Sequence, residues 1–499
     1  MFGMVPMCDR AIRWGLVLLI AFTPLAFGTV EAWAQALMEW GIWTLALIGL
    51  LVRAWSPAGD RPRLGMTGLE APLALLRLFG ALQVVPLPHA WVGLLSPASA
   101  RMYETVDVAR DIPQSALEAA SPEDLALLRT PTAARHPISV NPPETLSRVV
   151  QFASFAALFL LIVFWADVGE RIVFLLCAVT GIGFIVALFG LVQYLTWNGR
   201  IYWFRRVPST AAFGPFVNHN HFAGYVEMII PIAVSLALYL FEARRRPAQD
   251  DEMHGRLSQA GLALFAAVLL VVSLFFCLSR GGILSATLGG IVFFAFAWRR
   301  IASRRLACAV AIGLPLLALA LIGWIGADAV LGKVHSYGTI EREASFGMRA
   351  EVWQTMVRHI PDVLWTGTGV GTFEDSFAPV TPPGSARRWD RAHNDFLQFL
   401  WETGVAGVAI VAFAVLLIVR RYWLPAVRGR EHPLDLFRLA LAVSLLSIAL
   451  HSTLDFNLQI GANGFLFALL VALMVALHRA VEGGAGRGPA ASAASMEAR

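Results

Sequence analysis

Gly261-Leu262-Ala263-Leu264-Phe265-Ala266-Ala267-Val268-Leu269-Leu270-Val271-Val272-Ser273-Leu274-Phe275-Phe276-Cys277-Leu278-Ser279-Arg280-Gly281-Gly282 decides what kind of protein this is. No charged residue interrupts the chain between Arg256 and Arg280. A hydrocarbon core of about 30 Å takes about 20 helical residues at roughly 1.5 Å each, and 260–279 fills that template. Apolar stretches of similar length recur near 11–30, 34–54, 66–87, 149–167, 171–195, 221–241, 282–298, 306–326, 395–419, 436–455 and 462–480, which predicts about twelve transmembrane helices. The composition agrees: the 499 residues are 57% apolar and 15% charged, with a mean hydropathy of +0.65. That balance excludes soluble, disordered and fibrous classes.

The expected fold is all-α and polytopic, with two long loops between the helices. Residues 1–87 hold spans one to three, 88–148 the first long loop, 149–326 spans four to nine, 327–394 a larger loop with an amphipathic helix, and 395–480 spans ten to twelve. The tail 481–499 is Gly/Ala/Ser-rich and reads as disordered and cytoplasmic. With the N-terminus inside, the short inner loops collect Arg10, Arg13, Arg53, Arg244 to Arg246, Arg299, Arg300, Arg304, Arg305, Arg420 and Arg421. The short outer connections hold Arg200, Arg205, Arg206 and Arg280. The positive-inside rule therefore places both termini in the cytoplasm and both long loops outside. Ala32-Trp33-Ala34 after the first span resembles a signal-peptide cleavage site, but the preceding apolar stretch is long and cleavage would leave an odd span count. Cys8, Cys177, Cys277 and Cys308 lie in or beside apolar runs without the spacing of a disulfide framework. A net charge of +5 with a single lysine, Lys333, gives no reason to expect a nucleic-acid partner.

Ionisable side chains at membrane depth cost roughly 2.5 to 3.5 kcal/mol each, so those retained there face a cavity or a partner. Arg280 stands at the outer end of a span against the charge bias; it either snorkels to the interface or, with Gly281 and Gly282, opens a helix start to a ligand oxygen. Arg349 and Trp353 lie one turn apart in Ser345-Phe346-Gly347-Met348-Arg349-Ala350-Glu351-Val352-Trp353. That stretch is expected to form an amphipathic helix ending before Pro361, laid along the outer membrane surface by Phe346, Val352, Trp353, Met356 and Ile360. His393 and Asn394 mark the point where the long loop turns into a span, and a neutral imidazole at the positive end of a helix dipole can accept a proton.

Two further polar clusters point to an outer cavity. One is Asn218-His219-Asn220-His221, preceded by Arg205 and Arg206; the other is His451, Asp455, Asn457, Gln459 and Asn463. The alternating His219 and His221 lack the one-face geometry of a metal helix, and no metal site is expected. One-turn spacing makes Asp455 a holder of His451 as readily as a functional acid.

Lys333 precedes Val334, so no phosphate-binding G-K-[ST] loop exists. No D-x-D for a metal-bound nucleotide sugar and no G-x-S-x-G nucleophile elbow is present. Gly367-Thr368-Gly369-Val370-Gly371 lacks a strand-helix context and reads as a turn. An activated substrate must therefore arrive by membrane.

His393-Asn394 followed by nine residues and then Gly404 and Gly407, after a long outer loop between spans nine and ten, resembles the signature of the O-antigen ligase superfamily. That superfamily includes O-antigen ligases, O-antigen polymerases and bacterial O-oligosaccharyltransferases. Ser279-Arg280-Gly281-Gly282, and Arg349 with Trp353, resemble its two arginine positions, and the similarity covers roughly 200–465. The loop 88–148 has no counterpart in the pattern.

The resemblance implies an inverting, metal-independent glycosyltransferase of the bacterial inner membrane that needs no cofactor, with both long loops periplasmic. Its donor would be a glycan on undecaprenyl pyrophosphate, and its acceptor a glycan or lipid A core hydroxyl. Membrane lipids and other polysaccharide-assembly proteins would be its partners. Arg280 and Arg349 would clamp the pyrophosphate and His393 would act on the acceptor hydroxyl, with Asn394, Trp353, Asn218, Asn220, Arg205, Arg206 and Asp455 as secondary candidates. Such chemistry suits the residues: two guanidinium forks stabilise a leaving pyrophosphate without Mg²⁺, and one base suffices for a single displacement. The competing reading is a polytopic transporter of polysaccharide or lipid-linked substrate that uses the same charges as a path, although no internal repeat stands out.

Overall fold

A computed structural model describes residues 4–55, 66–110, 135–166, 169–207, 212–243, 250–301, 304–336, 339–381, 388–429, 432 and 434–485. Among the described residues the regular structure is helical apart from two short antiparallel strand pairs, Leu87–Pro88 with Arg135–His136 and Arg200–Ile201 with Arg205–Arg206, and eight of the helices are long and apolar enough to cross a membrane. It divides into two compact units, Met1–Thr67 with Ser154–Tyr337 and Leu417–Arg499, and Gly68–Ala153 with Gly338–Leu416. Ser115 and Ser121, candidate starts of short helices in the first long loop by sequence, fall outside the described residues.

In the first unit, helices Ala32–Trp55, Gly169–Leu195, Asp250–Phe276 and Gly461–Ala485 overlap expected spans, with ends up to ten residues away, and Met4–Leu25 overlaps the first expected span without being among the eight. Helix His219–Ala243 is its axis, packed against Asp250–Phe276, Arg280–Ala297 and Asp435–His451. A helix apolar all round has to be buried, and here Val226, Met228, Ile229, Ile232 and Ala233 lose all contact with solvent. Arg438 lies inside helix Asp435–His451, buried and paired with Asp435 at 2.9 Å.

The second unit differs from the sequence expectation in two places. The third span expected over 66–87 is a helix only over Glu70–Leu82, about 20 Å long at 1.5 Å per residue and short of a 30 Å core. The polar Gln83 ends it, and its buried side-chain amide donates to the carbonyls of Thr366 (2.8 Å) and Glu402 (3.0 Å) while accepting from the Val370 amide (3.1 Å). The amphipathic helix runs over Thr339–Val363, past Pro361. Its apolar residues Val352 and Met356 are buried in a core with Val363, Phe373, Phe377, Trp389 and Trp401, not turned toward lipid. Phe346 lies where side chains are not described.

The described parts of the loop 88–148, residues 88–110 and 135–148, brace this unit. Arg101, in helix Pro97–Arg110, pairs with Asp362 at 2.9 Å, and Asn141 donates to Asp375 at 2.8 Å. Burial alone would raise the Asp362 carboxyl, but the hydrogen bond from His359 and the Arg101 guanidinium outweigh it and hold the group below the usual carboxylate range.

Helix Asp395–Ile418 breaks at Gly404, where φ is 60° and ψ −167°, a region open only to glycine. The broken ladder is repaired from the loop beside it: Val405 N–H donates to Leu364 O (2.7 Å), Ala406 N–H to Trp365 O (3.2 Å), and Gly369 N–H to Glu402 O (3.0 Å). A Cβ on Gly404 would lie 2.5 Å from the Trp365 carbonyl carbon, and one on Gly367 would lie 2.1 Å from that of Glu402. Both obstacles are backbone. Gly404→Val is therefore expected to cost on the order of 3 kcal/mol or more, read as a lowered Tm of the detergent-purified protein; an unchanged melt would show that the break is not needed.

Candidate functional site

His393 adopts φ 51°, a left-handed conformation uncommon for a residue with a side chain. The peptide before it is pinned on both sides. Ala392 N–H donates to Gln398 Oε1 at 2.9 Å, and Ala392 O accepts from Trp353 Nε1 at 2.7 Å. Asn394 then caps the helix: its Oδ1 accepts from Leu397 N–H and its carbonyl from Gln398 N–H, each at 3.0 Å. His393 thus precedes the cap, half-buried and edge-on to Trp389 at 6.3 Å between ring centres.

Trp353 also explains where Arg349 sits. It lies one turn after Arg349, so a single indole hydrogen bond ties the Arg349 helix to the peptide that presents His393. Arg349 is half-buried. Along that helix runs an open cavity of about 490 Å³, lined by Ala350, Trp353, Gln354, Val357 and Arg358.

Behind His393 a polar chain continues into the apolar helix. Gln398 Nε2 donates to Glu402 Oε1 (2.9 Å), and Glu402 Oε2 accepts from Gly371 N–H (2.8 Å). The glycine loop 367–371 is a run of left-handed turns, with φ of 68°, 109° and 84° at Gly367, Gly369 and Gly371. Sequence reasoning missed Gln398 and Glu402 as supports. The signal was present as a polar residue at every fourth position of a span: Asn394, Gln398, Glu402.

Arg280 belongs to the first unit, whereas Arg349 and His393 belong to the second. It is exposed and opens helix Arg280–Ala297, with Ser279 Oγ capping the helix by accepting from Gly282 N–H at 3.2 Å. Leu278 before it is left-handed, φ 60°. Gly281 and Gly282 make room for protein: Cβ atoms there would lie 2.8 Å from His451 Cδ2 and 2.5 Å from Ala223 Cβ.

The secondary candidates of this unit are structural partners of one another. Asn218 Oδ1 accepts from Asn220 N–H (2.9 Å), and Asn220 Nδ2 donates to Asp455 Oδ2 (2.6 Å). His451 Nδ1 finds Glu227 Oε1 at 3.1 Å, a partner that one-turn spacing did not suggest. Arg205 bonds Glu31 and lies 3.9 Å over the Phe27 ring, while Arg206 pairs through its backbone with Arg200 and is exposed.

A search of curated proteins found no match. The family model described as O-Antigen ligase matches residues 265–412, a segment that holds Arg280, Arg349, Trp353, His393, Asn394, Gly404 and Gly407. Over residues 265–412 this multi-pass helical protein is thus similar to the O-antigen ligase family, the same resemblance that its arginine and histidine motifs carry.

Proposed function

We propose that the protein transfers a glycan from undecaprenyl pyrophosphate to an acceptor sugar hydroxyl at the periplasmic face of a bacterial inner membrane, as a ligase or polymerase, with both termini in the cytoplasm. His393 takes the proton of the acceptor hydroxyl. The acceptor oxygen attacks the anomeric carbon, the bond to the pyrophosphate oxygen breaks, and undecaprenyl pyrophosphate leaves with the bonding pair. One displacement inverts configuration and needs no carboxylate nucleophile. Arg280 and Arg349 stabilise the growing charge on the leaving group as guanidinium forks. No metal or cofactor takes part in this reading.

The observation that carries it is the peptide before His393, held by Gln398 on one side and by Trp353 on the other. A general base has to be placed within a fraction of an ångström, and this anchoring supplies a fixed backbone for it. Trp353→Phe keeps the ring and deletes the donor; it is expected to lower kcat about 10-fold with the fold intact, since one lost hydrogen bond is worth about 1 kcal/mol or slightly more.

The deciding experiment is transfer in vitro from a purified carrier-linked glycan, in EDTA, to candidate acceptors. Product formation supports the reading; transport of the carrier across vesicles without any transfer would replace it with the transporter. In the native strain, loss of a ligase leaves long carrier-linked chains, whereas loss of a polymerase leaves single repeats.

A further inference from the structure

Glu227 stands in the middle of the axial helix His219–Ala243 and is fully buried, as is His451 at the end of helix Asp435–His451. A buried carboxyl and imidazole cost several kcal/mol to bring out of water, and apolar residues of similar size would fill the same space at least as stably. Their contacts suggest what they are kept for. Glu227 Oε1 is 3.1 Å from His451 Nδ1, and Ser285 Oγ–H donates to Glu227 Oε2 at 2.6 Å. The same hydroxyl lies 2.7 Å from the Gly281 carbonyl oxygen. The far edge of the imidazole packs on the first turn of helix Arg280–Ala297: a Cβ on Gly281 would meet His451 Cδ2 at 2.8 Å and Nε2 at 2.9 Å, and one on Gly282 would meet Cε1 at 3.3 Å. Three helices therefore meet at one polar knot, directly beneath Arg280.

We infer that Glu227 and His451 are positioning residues for Arg280. Glu227 fixes the ring of His451 by its Nδ1, and the ring in turn fixes the Gly281-Gly282 turn, so that the left-handed Leu278 and the capped start of the helix project the Arg280 guanidinium in one direction. Ser285 closes the loop by holding the same carboxyl against the turn. The inference rests on the proposed role of Arg280 at the donor pyrophosphate.

The test is a double-mutant cycle on the full-length protein in detergent, using a purified carrier-linked glycan as donor. His451→Ala in the wild-type background is expected to lower kcat/KM for the donor roughly 10- to 100-fold, the scale of a misplaced binding group, with the acceptor KM unchanged. In an Arg280→Ala background the same change should cost less than about threefold, because two residues acting through one group are not additive. Glu227→Gln keeps the size of the side chain and serves where His451→Ala fails to fold, and it should show the same coupling to Arg280. Full multiplicative loss in the Arg280→Ala background, or wild-type kcat/KM in both variants, overturns the positioning role. An Arg280→Ala protein with undiminished transfer overturns the pyrophosphate clamp itself, so failure of the inference and failure of the reading beneath it give different results.

Discussion

Alanine at position 393 is expected to lower glycan transfer by about 10³-fold, in the middle of the range a positioned general base contributes, while the protein continues to insert and fold. The second half of that expectation follows from the anchoring. The contacts that hold the segment are made by the Ala392 peptide, with Gln398 and Trp353, and by the Asn394 cap. None of these is removed by truncating the imidazole. Histidine already holds the left-handed φ, and alanine tolerates it only somewhat less well. His393→Asn separates the two effects, since asparagine tolerates φ near 51° yet carries no base. Both variants are expected to melt close to the wild type and to fail in transfer from carrier-linked glycan. Turnover at the wild-type rate in either would remove the base from His393.

The next largest effect is expected at the arginines. Arg280→Lys and Arg349→Lys should each reduce kcat/KM for the donor about 10²-fold, the loss associated with one misplaced electrostatic donor at a developing charge. Lysine keeps the charge but is a compact point donor that cannot match two phosphate oxygens as a fork. The measurement is donor saturation at fixed acceptor concentration. Equal kinetics for Lys and Arg at both positions would mean that net charge alone is at work, and the clamp would have to be abandoned.

Eight helices long and apolar enough to span a membrane, of about twelve expected, were legible because length and hydropathy suffice for them. Where the reading went astray, apolar content outran geometry. Residues 66–87 look like a span, yet Pro72, Pro86, Pro88 and Gln83 interrupt it, and the chain uses Gln83 as a three-way tie to the glycine loop instead. Val352 and Met356 had the pattern of a membrane-facing surface; the same stripe also suits a protein core, and periodicity alone does not name what lies opposite. His393, Arg280 and Arg349 were visible as polar residues misplaced against the topology. Their supports were not singled out: Glu402 and Glu227 meet partners distant in sequence, and the short-range role of Gln398 shows only in its hydrogen bonds. An acid in mid-span, as at Glu227, is nonetheless a signal that sequence alone offers.

The interruption at Gly404 also bears on the lipid around the protein. Below it, the unbroken apolar stretch from Val405 to Ile418 measures about 21 Å at roughly 1.5 Å per residue, well short of a bilayer core of about 30 Å. Arg420 and Arg421 follow almost at once. A segment this short would be matched by compression or tilt of nearby acyl chains. A long polyprenyl carrier would find its polar end lowered there toward the protein, with less distance to travel out of the hydrocarbon.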